Sequence, residues 1–473
     1  MNLEDQLTEI INNLQFLKVE STLMLGAILL LVGGMITKSG ILIKSVYAGV
    51  ILLAFYFNWQ GLAVGSTLSE SLFLTSTSQH FTAIFLLSSL IILLYKRADE
   101  HATEFYFLIL SLIVGSLFIM KANSFLVTYL AVELTSFGAY ILTNFSFKKK
   151  AHEAGIKYLL FGALSSAIML FGFGLIYGIS GSFYLSELGS FDLELVGNAG
   201  ILMMLFGLFF KASIVPLHVW VPATYQEAPN DATAILSIVP KLGALVLIQR
   251  IYSIVQSEWI LNLCLILGML TILSGVLSAL RQSGARRMIS FGAIAHSGFL
   301  FPFALILSET SIQAFWWYAV AYAIMNVAVF YFLEEFESRG LDRLEDFSGL
   351  GDNNPIMFVS VTVLLISLIG LPPVAGFTAK FFLFTTLWEQ YQSDGQLIFI
   401  ACLVVAVFAT VISLFFYLRI PYYLFLVKEQ TSRSIEFSFW TKFIATLFSI
   451  VLLLLFFVPQ ILTVMQQLLK STP

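Results

Sequence analysis

Apolar stretches of membrane-crossing length recur along almost the whole chain, and they constrain its fold more than any other feature. Fourteen can be marked, at 21–37, 41–57, 72–95, 105–120, 123–145, 155–179, 199–227, 232–252, 259–280, 286–307, 312–336, 355–390, 397–427 and 439–465. A helix needs roughly 20 apolar residues to cross a bilayer. Inside hydrocarbon each backbone N–H and C=O must be satisfied within the protein, so uninterrupted runs of this length are read as helices. The fold class is therefore an all-α polytopic membrane protein with 14 transmembrane helices. Charged residues make up 11% of the 473, too few to coat a water-facing surface, where about 25% is usual. This excludes a cytosolic enzyme, a disordered protein and a nucleic-acid binder, and a net charge of -4 points to no polyanionic partner. The first 20 residues lack the basic start and apolar run of a signal peptide and are expected to form a short surface helix.

Basic residues fix an orientation. With alternate loops assigned to alternate sides, seventeen Lys and Arg fall on one side, including Lys148, Lys149, Lys150, Arg286 and Arg339. Four (Lys18, Lys121, Arg250 and Lys470) fall on the other. The positive-inside rule puts the rich side in the cytoplasm and both termini outside, on the periplasmic side of a bacterial inner membrane. The charged segment 337–354 is expected to be a solvated cytoplasmic loop.

Three basic residues have no place in that sorting. Lys211, Lys241 and Lys380 each lie nine to twelve residues inside a span, a depth of roughly 14–18 Å at 1.5 Å per residue. Glu133 and His296 share that depth. A central Lys costs about 2.5–3.5 kcal/mol on insertion scales, and three cost on the order of 8–10 kcal/mol, comparable to a domain's net stability. Packing alone does not require that outlay. Two readings stand for His296, a hydrogen-bonded core side chain or a proton relay.

Prolines accompany the lysines. Pro216 follows Lys211 in FKASIVPLHVW, Pro372 and Pro373 precede Lys380 in GLPPVAGFTAKFF, and Pro240 adjoins Lys241 in ILSIVPKLGAL. Proline frees a carbonyl and kinks a helix. Discontinuous helices in two halves of a transporter point to an ion site, so the seventh and twelfth spans are expected to be broken. One carboxylate against three lysines suits protons passed between amines and water better than a sodium cage. Burial favours the neutral amine and a nearby carboxylate favours the ammonium, so movement of Glu133 relative to Lys211 would switch proton holding to release.

FKASIVPLHVWVPATYQEAP, ILSIVPKLGALVL, RRMISFGAIAHSGF and SLIGLPPVAGFTAKFFLF resemble the antiporter-like membrane subunits of respiratory complex I, the proton-translocating NADH–quinone oxidoreductase. The resemblance runs from about 105 to 425. It is greatest to the N type: no long lateral helix follows the fourteenth span, Tyr225 stands where the L and M types usually have His, and Lys380 stands where the M type usually has Glu. The resemblance implies two inverted five-helix repeats, 105–252 and 259–427, each with one broken helix and one proton half-channel. Three N-terminal spans (1–104) precede them and a C-terminal helix (428–473) follows. It assigns Glu133 as modulating carboxylate, Lys211 as its paired lysine, Lys241 as central lysine, Lys380 as exit-side lysine and His296 to the connecting axis. It places FMN and iron–sulfur clusters in partner subunits and none in this chain, with the antiporter-like subunit M and the small subunits K and J as neighbours in the lipid bilayer. Quinone reduction and NADH binding would then occur elsewhere in the complex.

The family commonly reads EGAPTPV after the broken helix, whereas this chain reads QEAPNDATAI. Asp231 is either a helix N-cap or part of a local proton entry. The residues support the same conclusion on redox chemistry: two cysteines, Cys264 and Cys402, give no C-x-x-C, zinc or iron–sulfur spacing. A subunit of a multisubunit sodium/proton antiporter or of a membrane-bound hydrogenase is the alternative within this fold. A passive scaffold would favour small residues over midplane lysines.

Overall fold

A computed structural model of the protein describes residues 16–36, 38–60, 65–67, 70–95, 101–190, 195–427 and 435–460. Seventeen α-helices lie among them: α1 Lys18–Ile36, α2 Gly40–Trp59, α3 Ser76–Ile91, α4 Ala102–Lys121, α5 Phe125–Thr143, α6 Lys149–Ser180, α7 Leu195–Ala212, α8 Trp220–Glu227, α9 Asn230–Val255, α10 Glu258–Leu280, α11 Ala285–Leu300, α12 Glu309–Glu337, α13 Pro355–Ile369, α14 Ala375–Asp394, α15 Leu397–Tyr417, α16 Arg419–Phe425 and α17 Phe439–Phe457. Strands β1 (Gly65–Thr67) and β2 (Leu72–Leu74) form an antiparallel hairpin pairing Gly65 with Leu74.

Apart from this hairpin the helical membrane architecture matches the expectation, and some boundaries move. Twelve helical stretches among the described residues are long and apolar enough to cross a membrane. The other two expected spans are shorter or interrupted: α11 is followed by a 3-10 turn at Phe301–Ala304, and 355–390 divides into α13 and α14. The third span starts later than expected, because 72–74 is strand and Thr75 caps α3, its Oγ1 accepting from Ser78 N at 3.0 Å. Helix α6 begins at Lys149 rather than 155 and has 32 residues, about 48 Å, so its Lys-rich start extends beyond a 30 Å core. Segment 337–354 is not simply solvated: Leu341, Leu344, Phe347 and Leu350 are buried, and Leu344 N donates to Ser283 O at 3.0 Å. Asp231 lies in the first turn of α9 rather than at its N-cap, where its Oδ1 accepts from Ala232 N at 2.8 Å. The surface helix expected in the first 20 residues falls largely on residues 1–15, outside the described residues.

The helices form two compact units. One holds residues up to Ala212 together with Ile238–Gln256, and the other holds Ser213–Ser237 and the described residues from Ser257 on. Within the first, α6 packs along α7, α4 along α5, and α1 against α2 and α4. A Cβ on Gly172 of α6 would lie 2.6 Å from Gly200 O of α7, so these backbones meet as only small residues permit. Within the second, α10 packs on α11 and α15, α11 on α8, α12 on α14, and α13 on α17.

Two basic residues counted toward membrane topology have structural partners in the first unit. Lys121 pairs with Glu20 of α1, and both side chains are buried. Arg250 donates to Ala122 O at 2.8 Å and to Asn123 Oδ1 at 2.7 Å, satisfying backbone just past the end of α4. Removing one member of a buried pair strands the other charge. Glu20→Ala is therefore expected to destabilise the detergent-solubilised protein by roughly 3–5 kcal/mol, while Glu20→Leu combined with Lys121→Met recovers most of the loss. Chemical denaturation of both variants checks this, and equal losses would refute it.

Candidate functional site

The three lysines that topology leaves unexplained are buried, with relative exposures of 0% for Lys211, 1% for Lys241 and 2% for Lys380. They stand on three helices, and two of those helices end or begin at a break.

At the first break α7 ends at Ala212 and α8 begins at Trp220. Ser213 takes the left-handed conformation with φ 62°, which ends the helix without a glycine. Lys211 occupies the last turn of α7, where a cation complements the helix dipole. Among the described residues its Nζ has no hydrogen-bond partner. Three aromatic rings surround it instead, with centroids 5.8 Å (Tyr140), 5.9 Å (Phe210) and 6.0 Å (Tyr158) away, at the outer limit of cation–π attraction. Glu133, half-buried on α5, lies within electrostatic reach of both Lys211 and Tyr140. Within the first unit Glu133 therefore acts electrostatically on the aromatic-walled site of Lys211. On the far side of the break, in the second unit, Val215 N donates to Thr271 Oγ1 at 2.9 Å, supplying a partner that a continuous helix would have provided.

The second break is built differently. Helix α13 ends at Ile369 and is capped by Gly370, whose φ of 88° suits glycine and whose N–H closes the helix on Ile366 O at 3.0 Å. The chain passes Pro372 and Pro373 and re-enters helix at Ala375. Lys380, on the second turn of α14, reaches back and donates to Ile369 O at 2.6 Å. That carbonyl is one of those α13 leaves open at its C-terminus, so the ammonium meets both an orphan acceptor and the negative end of a half-helix. The same Nζ lies 4.5 Å from the Phe299 ring centroid. Phe299 contacts the ring of His296 edge-on at 6.0 Å, and His296 Nδ1 is 3.1 Å from the Tyr318 hydroxyl. The second unit thus brings together Lys380 and His296 through Phe299.

Lys241 follows Pro240 inside α9, which is buried along most of its length. The structure also shows one group that sequence reasoning assigned only to topology. Arg286 at the start of α11 donates from Nε to Tyr225 O at 2.8 Å, from Nη2 to Ala228 O, and from Nη1 to Glu337 Oε2 at 3.2 Å. A basic residue at a helix start reads as an edge charge, and nothing in its neighbours along the chain indicates that it grips α8. Among the described residues no group of three His, Cys, Asp or Glu side chains is arranged to hold a metal ion.

Apolar helices interrupted in their middle, with a buried lysine beside each interruption, define a polytopic membrane protein of the broken-helix type. A family model described as NADH:quinone oxidoreductase/Mrp antiporter, TM, matches residues 122–413, and the chain belongs to that family. It is 34% identical over 368 residues to NADH-quinone oxidoreductase subunit N of Pelagibacter ubique, covering 75% of each chain. A chain of respiratory complex I from Thermus thermophilus superposes with a TM-score of 0.79 at 26% identity, covering 94% of this chain and 98% of that one. A chain of the archaeal membrane-bound sulfane sulfur reductase shares the fold, with a TM-score of 0.84 at 23% identity and coverage of 97% and 96%.

Gly370 is placed where the stem of Lys380 crosses the break: a Cβ there would lie 2.6 Å from Lys380 Cδ. Gly395, the C-cap of α14, has a similar φ of 68° and open space around it. Gly395→Ala is expected to cost the backbone strain alone, about 1–2 kcal/mol. Gly370→Ala costs more, because it also moves Lys380 off the Ile369 carbonyl. Thermal unfolding of the two variants separates these effects, and equal losses would show that the lysine stem does not press on Gly370.

Proposed function

We propose that this chain is a proton-translocating membrane subunit of NADH–quinone oxidoreductase, moving protons through Glu133, Lys211, Lys241, Lys380 and His296. The observation that carries the proposal is the burial of three lysines in apolar helices, two of them beside broken helices, in a chain 34% identical to a subunit N. An ammonium in an apolar, aromatic-walled site is stable only while opposite charge stands near. Glu133 supplies that charge to Lys211. Its approach loads the amine and its withdrawal releases the proton toward Lys241. Lys380 would pass protons outward, with His296 on the connecting axis. In this proposal the chain carries fourteen spans in two inverted repeats, 105–252 and 259–427, with both termini on the periplasmic side of a bacterial inner membrane. Its neighbours are the antiporter-like subunit M and the small subunits K and J. Electron transfer through FMN and iron–sulfur clusters takes place in other subunits, and this chain holds no redox cofactor and no NADH site.

Purification from native membranes should yield the chain with flavin and iron–sulfur subunits and piericidin-sensitive NADH oxidation. Isolation with antiporter subunits alone would sink the proposal in favour of a sodium/proton antiporter. In inverted vesicles, Lys211→Ala, Lys241→Ala or Glu133→Ala is expected to lower proton pumping roughly tenfold or more, as loss of an essential proton carrier does. Unchanged pumping in all three would refute the axis.

A further inference from the structure

Pro240 lies inside α9 and has no N–H, so the carbonyl of Leu236, four residues earlier, loses its helical partner. That carbonyl is buried, and a buried acceptor left open is costly. The structure fills it from another helix: the Tyr225 hydroxyl of α8 donates to Leu236 O at 3.2 Å. The next carbonyl, Ser237 O, accepts from the Tyr322 hydroxyl of α12 at 3.0 Å.

Tyr225 is held from several sides. Its ring stands edge-on to Trp220 at 5.9 Å and to Phe330 at 6.0 Å. Its backbone carbonyl accepts from Arg286 Nε at 2.8 Å, and the same guanidinium grips Ala228 O and Glu337. Asn230, the first residue of α9, donates to that Glu337 oxygen at 2.8 Å. One guanidinium therefore fixes the turn between α8 and α9, and a hydroxyl on α8 fills the carbonyl that Pro240 leaves open eleven residues further on.

We propose that Tyr225 is a positioning residue for Lys241: its hydroxyl replaces the hydrogen bond that Pro240 cannot give, and so sets the bend in α9 immediately before the lysine. The inference rests on the reading of Lys241 as a proton carrier. The tyrosine hydroxyl can donate that bond, and phenylalanine cannot.

The test is a double-mutant cycle in the assembled complex, measuring protons pumped per NADH oxidised and its pH profile in inverted vesicles. Tyr225→Phe keeps the ring contacts and removes only the donor. It is expected to lower protons per NADH roughly fivefold and to shift the pH profile, with the amount of assembled complex unchanged. Pro240→Ala restores the backbone N–H, so in that background Tyr225→Phe is expected to cost nothing further. Pumping by Tyr225→Phe at the parent level, or an equal loss in both backgrounds, overturns the proposal. Should Tyr225→Phe fail to assemble, the double variant is expected to assemble, and its failure likewise overturns the proposal. Lys241→Ala is measured alongside. Intact pumping there would defeat the functional reading itself, whereas loss in Lys241→Ala with none in Tyr225→Phe would defeat this inference alone.

Discussion

A backbone carbonyl or amide in hydrocarbon has no water to turn to, and much of this structure follows from that rule. Most helices satisfy it internally. The two broken helices and the proline-bearing α9 cannot, and at each a side chain from elsewhere takes over. Thr271 accepts from Val215 N, Lys380 donates to Ile369 O, and Tyr225 and Tyr322 donate to Leu236 O and Ser237 O. At these three places a buried lysine lies within a few residues of the interruption.

The two breaks share a proline and a nearby lysine and differ in chemistry. At the second, the lysine comes after the gap and is tied to a carbonyl of the first half-helix. At the first, the lysine comes before the gap, and among the described residues its Nζ has no hydrogen-bond partner and lies beside aromatic rings, with Glu133 acting on it electrostatically. A hydrogen-bonded ammonium gains a charge-assisted bond that an amine held among rings lacks. In the proposed proton path the two lysines would therefore meet different demands: deprotonation would weaken the bond of the tethered donor, whereas the untethered one would depend on its counter-charge.

The helical membrane fold was legible because apolar length and the cost of unsatisfied backbone admit little else. Lys211, Lys241 and Lys380 stood out because a central charge is expensive, and the prolines marked where the helices would break. What the chain did not disclose depends on contacts far apart in sequence. Lys121 and Arg250 looked like edge charges and proved to be partnered, 101 residues from Glu20 in one case and 128 from Ala122 in the other. Arg286 finds Glu337 51 residues away. Segment 337–354 carries charges throughout, yet every third or so residue is an apolar anchor, and composition averaged that pattern away. Glu133 is half-buried because its side of α5 carries exposed apolar residues, among them Leu130, Leu134 and Phe137.

The chain changes units at 212/213, at 237/238 and again at 256/257. The first crossing falls at the break after Lys211, and the second falls three residues before Pro240. The first unit is therefore built from segments that are not contiguous in sequence, and during synthesis Ile238–Gln256 cannot join the helices it packs with until Ser213–Ser237, which belong to the other unit, have been made.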